Sequence, residues 1–152
     1  MNKIRSNKIK LINIILIVFL LDQISKYLIS KYINYLLNKS FLFFSIELVY
    51  NNGAAFNLFS GNRLFLSSIS IISIIVLVYI IFAKNNLEIP NKLGLSFILA
   101  GSIGNGIDRV LRGYVVDFIN LNFINFPVFN IADISINIGF FILLILYLRE
   151  IK

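Results

Sequence analysis

Apolar runs alternate with short polar intervals along this chain, and the lengths of the runs are the first guide to its architecture. LINIILIVFLL at 11–21 resumes past Asp22 to residue 29; LFLSSISIISIIVLVYIIFA fills 64–83; LGLSFILAGSIGNGIDRVL fills 93–111; a fourth run goes from Asn130 to Leu148. A helix needs about 20 such residues to cross a bilayer, so the pattern predicts four membrane-spanning helices at 11–29, 64–83, 93–111 and 130–148. The longest interval, 30–63, holds SFLFFSIELVYNNGAAFNLF, rich in aromatic and β-branched residues before a turn-forming NNG, and YVVDFI at 114–119 has the same character. Both favour strand. The expected fold class is therefore an all-α membrane protein, a four-transmembrane-helix bundle with a small extracytoplasmic β element between spans 1 and 2 and before span 4. Residues 1–152 are expected to form a single integral membrane domain.

Composition supports this reading. Hydrophobic residues make up 59% of the chain and the mean hydropathy is +0.88, above the roughly 45–50% apolar share of soluble domains. The formal charge of +7 would suggest nucleic acid in a soluble protein, but here the bases flank apolar runs, so no nucleic-acid partner is expected. Lys3, Arg5, Lys8 and Lys10 precede the first run, which resembles a secretory signal peptide until one looks for a small-residue cleavage site and finds none. The positive-inside bias then keeps the N-terminus, and after four spans the C-terminus, in the cytoplasm.

Without cysteine or histidine the chain cannot use a thiol nucleophile, a Ser-His pair or an HExxH zinc site. Carboxylates remain, with a Ser-Lys pair as a weaker option. On the expected topology all four aspartates, Asp22, Asp108, Asp117 and Asp133, fall toward the outer leaflet. Asp117 rides on or beside a short strand, and Asp133 sits at the start of span 4. Two convergent carboxylates near lipid must share a proton, and such a pair can divide the roles of general base and general acid. The competing reading of Asp133 is a first-turn acid after an Asn130 N-cap, and sequence grammar alone does not choose between cap and catalyst.

Other polar positions carry similar pairs of readings. Asp22 and Lys26 stand four apart on one helix face, where a structural ion pair is the simpler explanation. Asn51 is an ordinary turn asparagine on its own, and Gly53 beside it suits a turn closed to other residues. Asn105, Asp108 and Arg109 gather on one side of the third span, or Asp108 simply pairs with Arg112 at a helix end. Gly94, Gly101, Gly104 and Gly106 let another helix approach that span closely.

DQISK at 22–26, NNGAAF at 51–56, GNGIDR at 104–109, VVDF at 115–118 and FNIAD at 129–133 together resemble the lipoprotein signal peptidase family, signal peptidase II, across essentially the whole chain. The resemblance implies a multi-pass aspartic endopeptidase of the bacterial cytoplasmic membrane, which cuts diacylglyceryl-modified prolipoproteins just before the lipidated cysteine. It implies Asp117 and Asp133 as the catalytic pair and no metal or other cofactor. Asn51, Asn105, Arg109 and Asn130 would line and orient the site; Asp22 and Lys26 would support it, with Gly53 and Asp108 inside the matching motifs. Gly101, Gly104 and Ala132 would allow close packing. The partners implied are prolipoproteins and membrane lipid, with the enzyme acting as a monomer and its site toward the outer leaflet. A proton-conducting relay or a non-enzymatic membrane scaffold would use similar residues differently. A relay, however, calls for polar groups through the full membrane depth, whereas the second span is uncharged.

Overall fold

The structure, a computed structural model, describes residues 2–36, 41–54, 58–84 and 87–151. Ala55 and Phe56 of the NNGAAF motif and the basic Lys152 lie outside the described residues. In chain order the elements are α1 (Asn2–Leu36), β1 (Phe44–Asn51), α2 (Arg63–Phe82), α3 (Ile89–Leu111), β2 (Val115–Leu121) and α4 (Ile131–Glu150). The α1 helix is much longer than its apolar run at 11–29. It continues to Leu36, with a kink at Tyr32 (φ −109°, ψ 17°).

Three helices, Ser6–Tyr35 within α1, α2 and α4, are long and apolar enough to cross a membrane. The expected third span is absent from that set. At 23 residues α3 has the length, about 35 Å at 1.5 Å per residue. Its glycines and its buried Ser96, Asn105 and Asp108 lower its hydropathy because they face protein rather than lipid.

α3 is the centre of the helical assembly, packing against α1, α2 and α4. Its glycines make that possible, each toward a particular neighbour. A Cβ on Gly101 would collide with the Ala132 carbonyl of α4, one on Gly104 would lie 2.5 Å from Asp22 Oδ2 of α1, and one on Gly106 would lie 3.1 Å from Ile74 of α2. Gly139 on α4 complements the seam, since a Cβ there would meet the Gly94 carbonyl at 2.5 Å. Leu11, Ile81 and Leu99 join α1, α2 and α3 in an apolar cluster.

The β element is a two-stranded antiparallel sheet in which Asn51 pairs with Val115 and Val49 with Asp117, with a bulge between Ile46 and Val49. Side chains alternate across a strand, so Asn51 and Val49 share a face with Asp117. Beyond β2 the chain loops back. Phe129 exchanges backbone hydrogen bonds with Ile119 (2.8 and 3.1 Å), which delivers the next residue, Asn130, to the side of Asp117.

Candidate active site

Asn130 organises the centre. It caps α4, its side-chain oxygen accepting from the Asp133 N–H at 3.0 Å while its own N–H donates to Asp133 Oδ2 at 3.1 Å, a capping box. Its amide nitrogen meanwhile donates to Asp117 Oδ1 at 2.6 Å and to Asn105 Oδ1 at 3.1 Å. The cap reading and the dyad reading of Asp133 are thus compatible. The residue that fixes Asp133 in the first turn is also the residue that holds Asp117.

Each carboxylate has a second donor. Asn51 Nδ2 reaches Asp117 Oδ2 at 2.9 Å, and Asn105 Nδ2 reaches Asp133 Oδ1 at 2.8 Å. Asn51 keeps its turn role too, accepting from the Gly53 N–H at 2.9 Å. Gly53 is not one of the glycines at positive φ, which are Gly61 and Gly113; the turn at 51–53 is closed by the Asn51 side chain instead. Gly53 contributes its carbonyl, which accepts from Arg109 at 3.3 Å and ties the end of β1 to α3.

Asp117 is 2% exposed, and burial pushes its carboxyl up to about 6. The Asn51 donor works against that shift, the neighbouring Asp133 charge adds to it, and the Asn130 donor opposes it. An aspartate at this value changes protonation closer to neutral pH than a free one does.

Asp117 and Asp133 both line a cavity of about 400 Å³ between the β element and helices α3 and α4. Asn51, Asn105, Arg109 and Asn137 complete its polar wall, and Ile124, Phe126 and Phe129 give it an apolar one. Among the described residues no group of three or more acidic, histidine or cysteine side chains is gathered as for a metal ion.

Asp22, Lys26 and Asp108 are not in the cavity wall but behind it, each fully buried. Lys26 has three donors and uses all of them: Asp22 at 2.9 Å, Asp108 at 2.8 Å and Asn105 Oδ1 at 2.9 Å. An ammonium only donates, so it fixes which end of the Asn105 amide faces it and leaves the NH2 for Asp133. Asp22 Oδ1 accepts from the Ala132 N–H at 2.9 Å, anchoring the first turn of α4 to α1. Asp108 also pairs with Arg112 at 3.4 Å, the expected helix-end contact, while it bonds Lys26. The expected grouping of Asn105, Asp108 and Arg109 divides in two. Asp108 turns to the ion cluster, Arg109 turns to the cavity, and Asn105 bridges them.

Sequence reasoning passed over three polar residues. Gln23 donates to Asp22 Oδ2 at 3.1 Å and to the Gly104 carbonyl at 3.3 Å, and its place inside DQISK was the available signal. Arg63 donates to the Val110 carbonyl at 2.5 Å, closing the open end of α3 from a site with no nearby sequence cue. Asn137 lines the cavity one turn beyond Asp133, and a lone amide in an apolar span was legible in principle.

Residues 14–149 match the family model for signal peptidase (SPase) II. A lipoprotein signal peptidase of Gloeothece citriformis is 43% identical over 128 residues, covering 82% of this chain and 80% of that protein. One from Francisella tularensis subsp. novicida is 37% identical over 152 residues, covering 95% and 94%. A solved bacterial membrane enzyme, obtained by the in meso method at 2.3 Å, superposes with a TM-score of 0.82 at 39% identity over 94% of this chain and 90% of that one. A second, at 1.9 Å, gives 0.76 at 37% identity over 93% and 94%. With residues 14–149 matched by the family model and relatives 37–43% identical over most of its length, the chain belongs to the signal peptidase II family, the lipoprotein signal peptidases.

Proposed function

We propose that this chain is an aspartic endopeptidase that removes the signal peptide from diacylglyceryl-modified prolipoproteins, cutting just before the lipidated cysteine. The observation that carries the reading is the pairing of Asp117 and Asp133 through Asn130 on one cavity wall. Asp133, ionised, takes a proton from a water that attacks the scissile carbonyl, while protonated Asp117 donates to the developing oxyanion. On collapse Asp133 passes its proton to the leaving amine and Asp117 recovers one from the diol, so the pair ends as it began. In this mechanism Asp133, in the first turn of α4, carries the charge and Asp117, with a value of about 6, carries the shared proton.

In this proposal α3 crosses the bilayer as a fourth, protein-enclosed span. The termini then lie in the cytoplasm and the cavity opens toward the outer leaflet, where a signal helix can enter from lipid. Asn51, Asn105 and Asn130 orient the two carboxylates, and Arg109 binds at the mouth of the cavity. The chain acts as a monomer.

The test is cleavage of a diacylglyceryl precursor peptide by purified protein beside folded Asp117→Asn and Asp133→Asn variants. Cutting before the lipidated cysteine by wild type, with both variants losing at least about a thousandfold in kcat, is the expected result. Near-normal turnover by either variant would remove the two-aspartate mechanism. Carboxyl vibrational spectra of the same variants across pH assign the shared proton, and a protonated Asp133 at neutral pH would reverse the roles.

A further inference from the structure

Three polar side chains interrupt the outer half of the apolar α4 helix, and two of them are fully accounted for. Asp133 is held by Asn105 and Asn130, and Ser135 is buried with its hydroxyl donating to the Phe97 carbonyl at 2.7 Å. Asn137 is the exception. Its side chain is exposed, lies in the cavity wall and makes no hydrogen bond to any of the described residues. An amide placed without a partner in a membrane-spanning helix is costly, since lipid offers neither donor nor acceptor. Such a group calls for a polar occupant of the cavity.

The proposed reaction supplies one, and the inference rests on that reading. A peptide bond must leave the helix to be attacked, and the end of any helix leaves its last four carbonyls without intrahelical partners. For a signal helix lying in the bilayer those orphan groups have no water to turn to. Asn137 follows Asp133 by four residues on the same face of α4, about 6 Å further along the axis, a span that two extended residues cover at about 3.3 Å each. The amide can donate to a carbonyl and accept from an N–H at once. We infer that Asn137 is a substrate-binding residue that hydrogen-bonds the unwound backbone of the signal peptide two to three peptide bonds before the scissile one. Recognition of backbone rather than side chain at this depth allows signal peptides of different sequence to be held in one register over the dyad.

The experiment compares kcat and KM of wild type and Asn137→Leu on a diacylglyceryl precursor peptide and on the same peptide with an ester replacing the second or third amide before the cut. An ester lacks the N–H and is a weaker acceptor. In wild type one of the esters raises KM about tenfold, the scale of a hydrogen bond made in a membrane interior, and Asn137→Leu raises it similarly on the all-amide peptide with kcat changed less than about twofold. In Asn137→Leu the same ester then adds nothing. An unchanged KM in Asn137→Leu, or an ester penalty of equal size in both proteins, overturns the assignment. Leucine makes α4 more apolar, so insertion is not compromised; should the variant still misfold, wild type alone decides, because no ester effect at either position is equally fatal. Failure of wild type to cut, or cutting by Asp133→Asn, would strike the aspartate mechanism instead.

Discussion

Helices α2 and α3 are neighbours of similar length built on opposite principles. α2 has the highest mean hydropathy of the candidate spans, 2.8, yet much of its surface faces outward, with Ile72 61% and Ile75 62% exposed. α3 falls outside the set of helices apolar enough to cross, yet it packs against every other helix and supplies Asn105 and Arg109 to the cavity. In water the greasiest helix would sit inside. In lipid there is no such drive, and the interior goes to residues that allow close backbone approach or that must find polar partners. Hydropathy here measures contact with lipid, and its local failure marks the helix that packs at the centre and lines the cavity.

The largest expected effect lies where α3 meets α1. Removing Lys26 by Lys26→Met leaves Asp22 and Asp108 facing each other's charge with no exposure to solvent, and loss of one partner from a buried ion cluster costs about 3–5 kcal/mol. The denaturation midpoint in a mixed-detergent titration should fall accordingly, and cleavage with it, because Asn105 loses the partner that sets its orientation. A midpoint within experimental error of wild type would show that the cluster is not holding α1 to α3. Next in size is Gly101→Ala. The new methyl meets the α4 backbone at Ala132, beside Asp133, and Ile136 at 2.7 Å, an overpacking worth up to about 3 kcal/mol. Because the strain falls on the turn that carries Asp133, the proposed mechanism has kcat fall further than the midpoint alone would suggest.

How much of this was legible depends on whether a feature is written locally. The runs at 64–83 and 130–148 mark α2 and α4 almost to the residue, and the Asn130–Asp133 spacing states the capping box outright. The i, i+4 spacing of Asp22 and Lys26 likewise gives their contact. What could not be read is anything decided by the meeting of distant segments. Lys26 reaches Asp108 and Asn105 only because α3 is threaded beside α1, and Asp22 reaches Ala132 across 110 positions. The joining of Asp117 to Asn130 depends on the Ile119–Phe129 bridge, a backbone contact with no side-chain signature. The extension of α1 to Leu36 escaped because Ser30 and Lys31 break the apolar run by which the span was delimited, while the helix continues past them.

A smaller effect isolates the β element from the helices. Asp117 holds its proton up to about pH 6 in the native protein and to about 3.8 when unfolded, so the native state binds more protons between those values. Its contribution to stability is then complete below about 3.8 and is lost as pH rises through about 6, a difference of about 3 kcal/mol over the whole range, of which about 1.4 kcal/mol falls between pH 7.5 and 5. Stability measured from pH 7.5 down to 5 should therefore rise in wild type relative to Asp117→Asn. Parallel curves for the two proteins would mean that the burial of Asp117 does not set its protonation.

The smallest expected effect is the one that tests the comparison most directly. Ile75→Ala on the outward face of α2 removes a branched side chain as large as any in the bundle, and in a soluble core that change costs about 2–5 kcal/mol. At a position 62% exposed the lost contacts are with lipid in the folded and the membrane-inserted unfolded state alike, so they cancel. The midpoint should move by less than about 0.5 kcal/mol with cleavage unchanged. A cost matching that of Gly101→Ala would place a protein surface against α2 where lipid is expected, and the contrast between an apolar helix turned outward and a polar one turned inward would fail on its outward side.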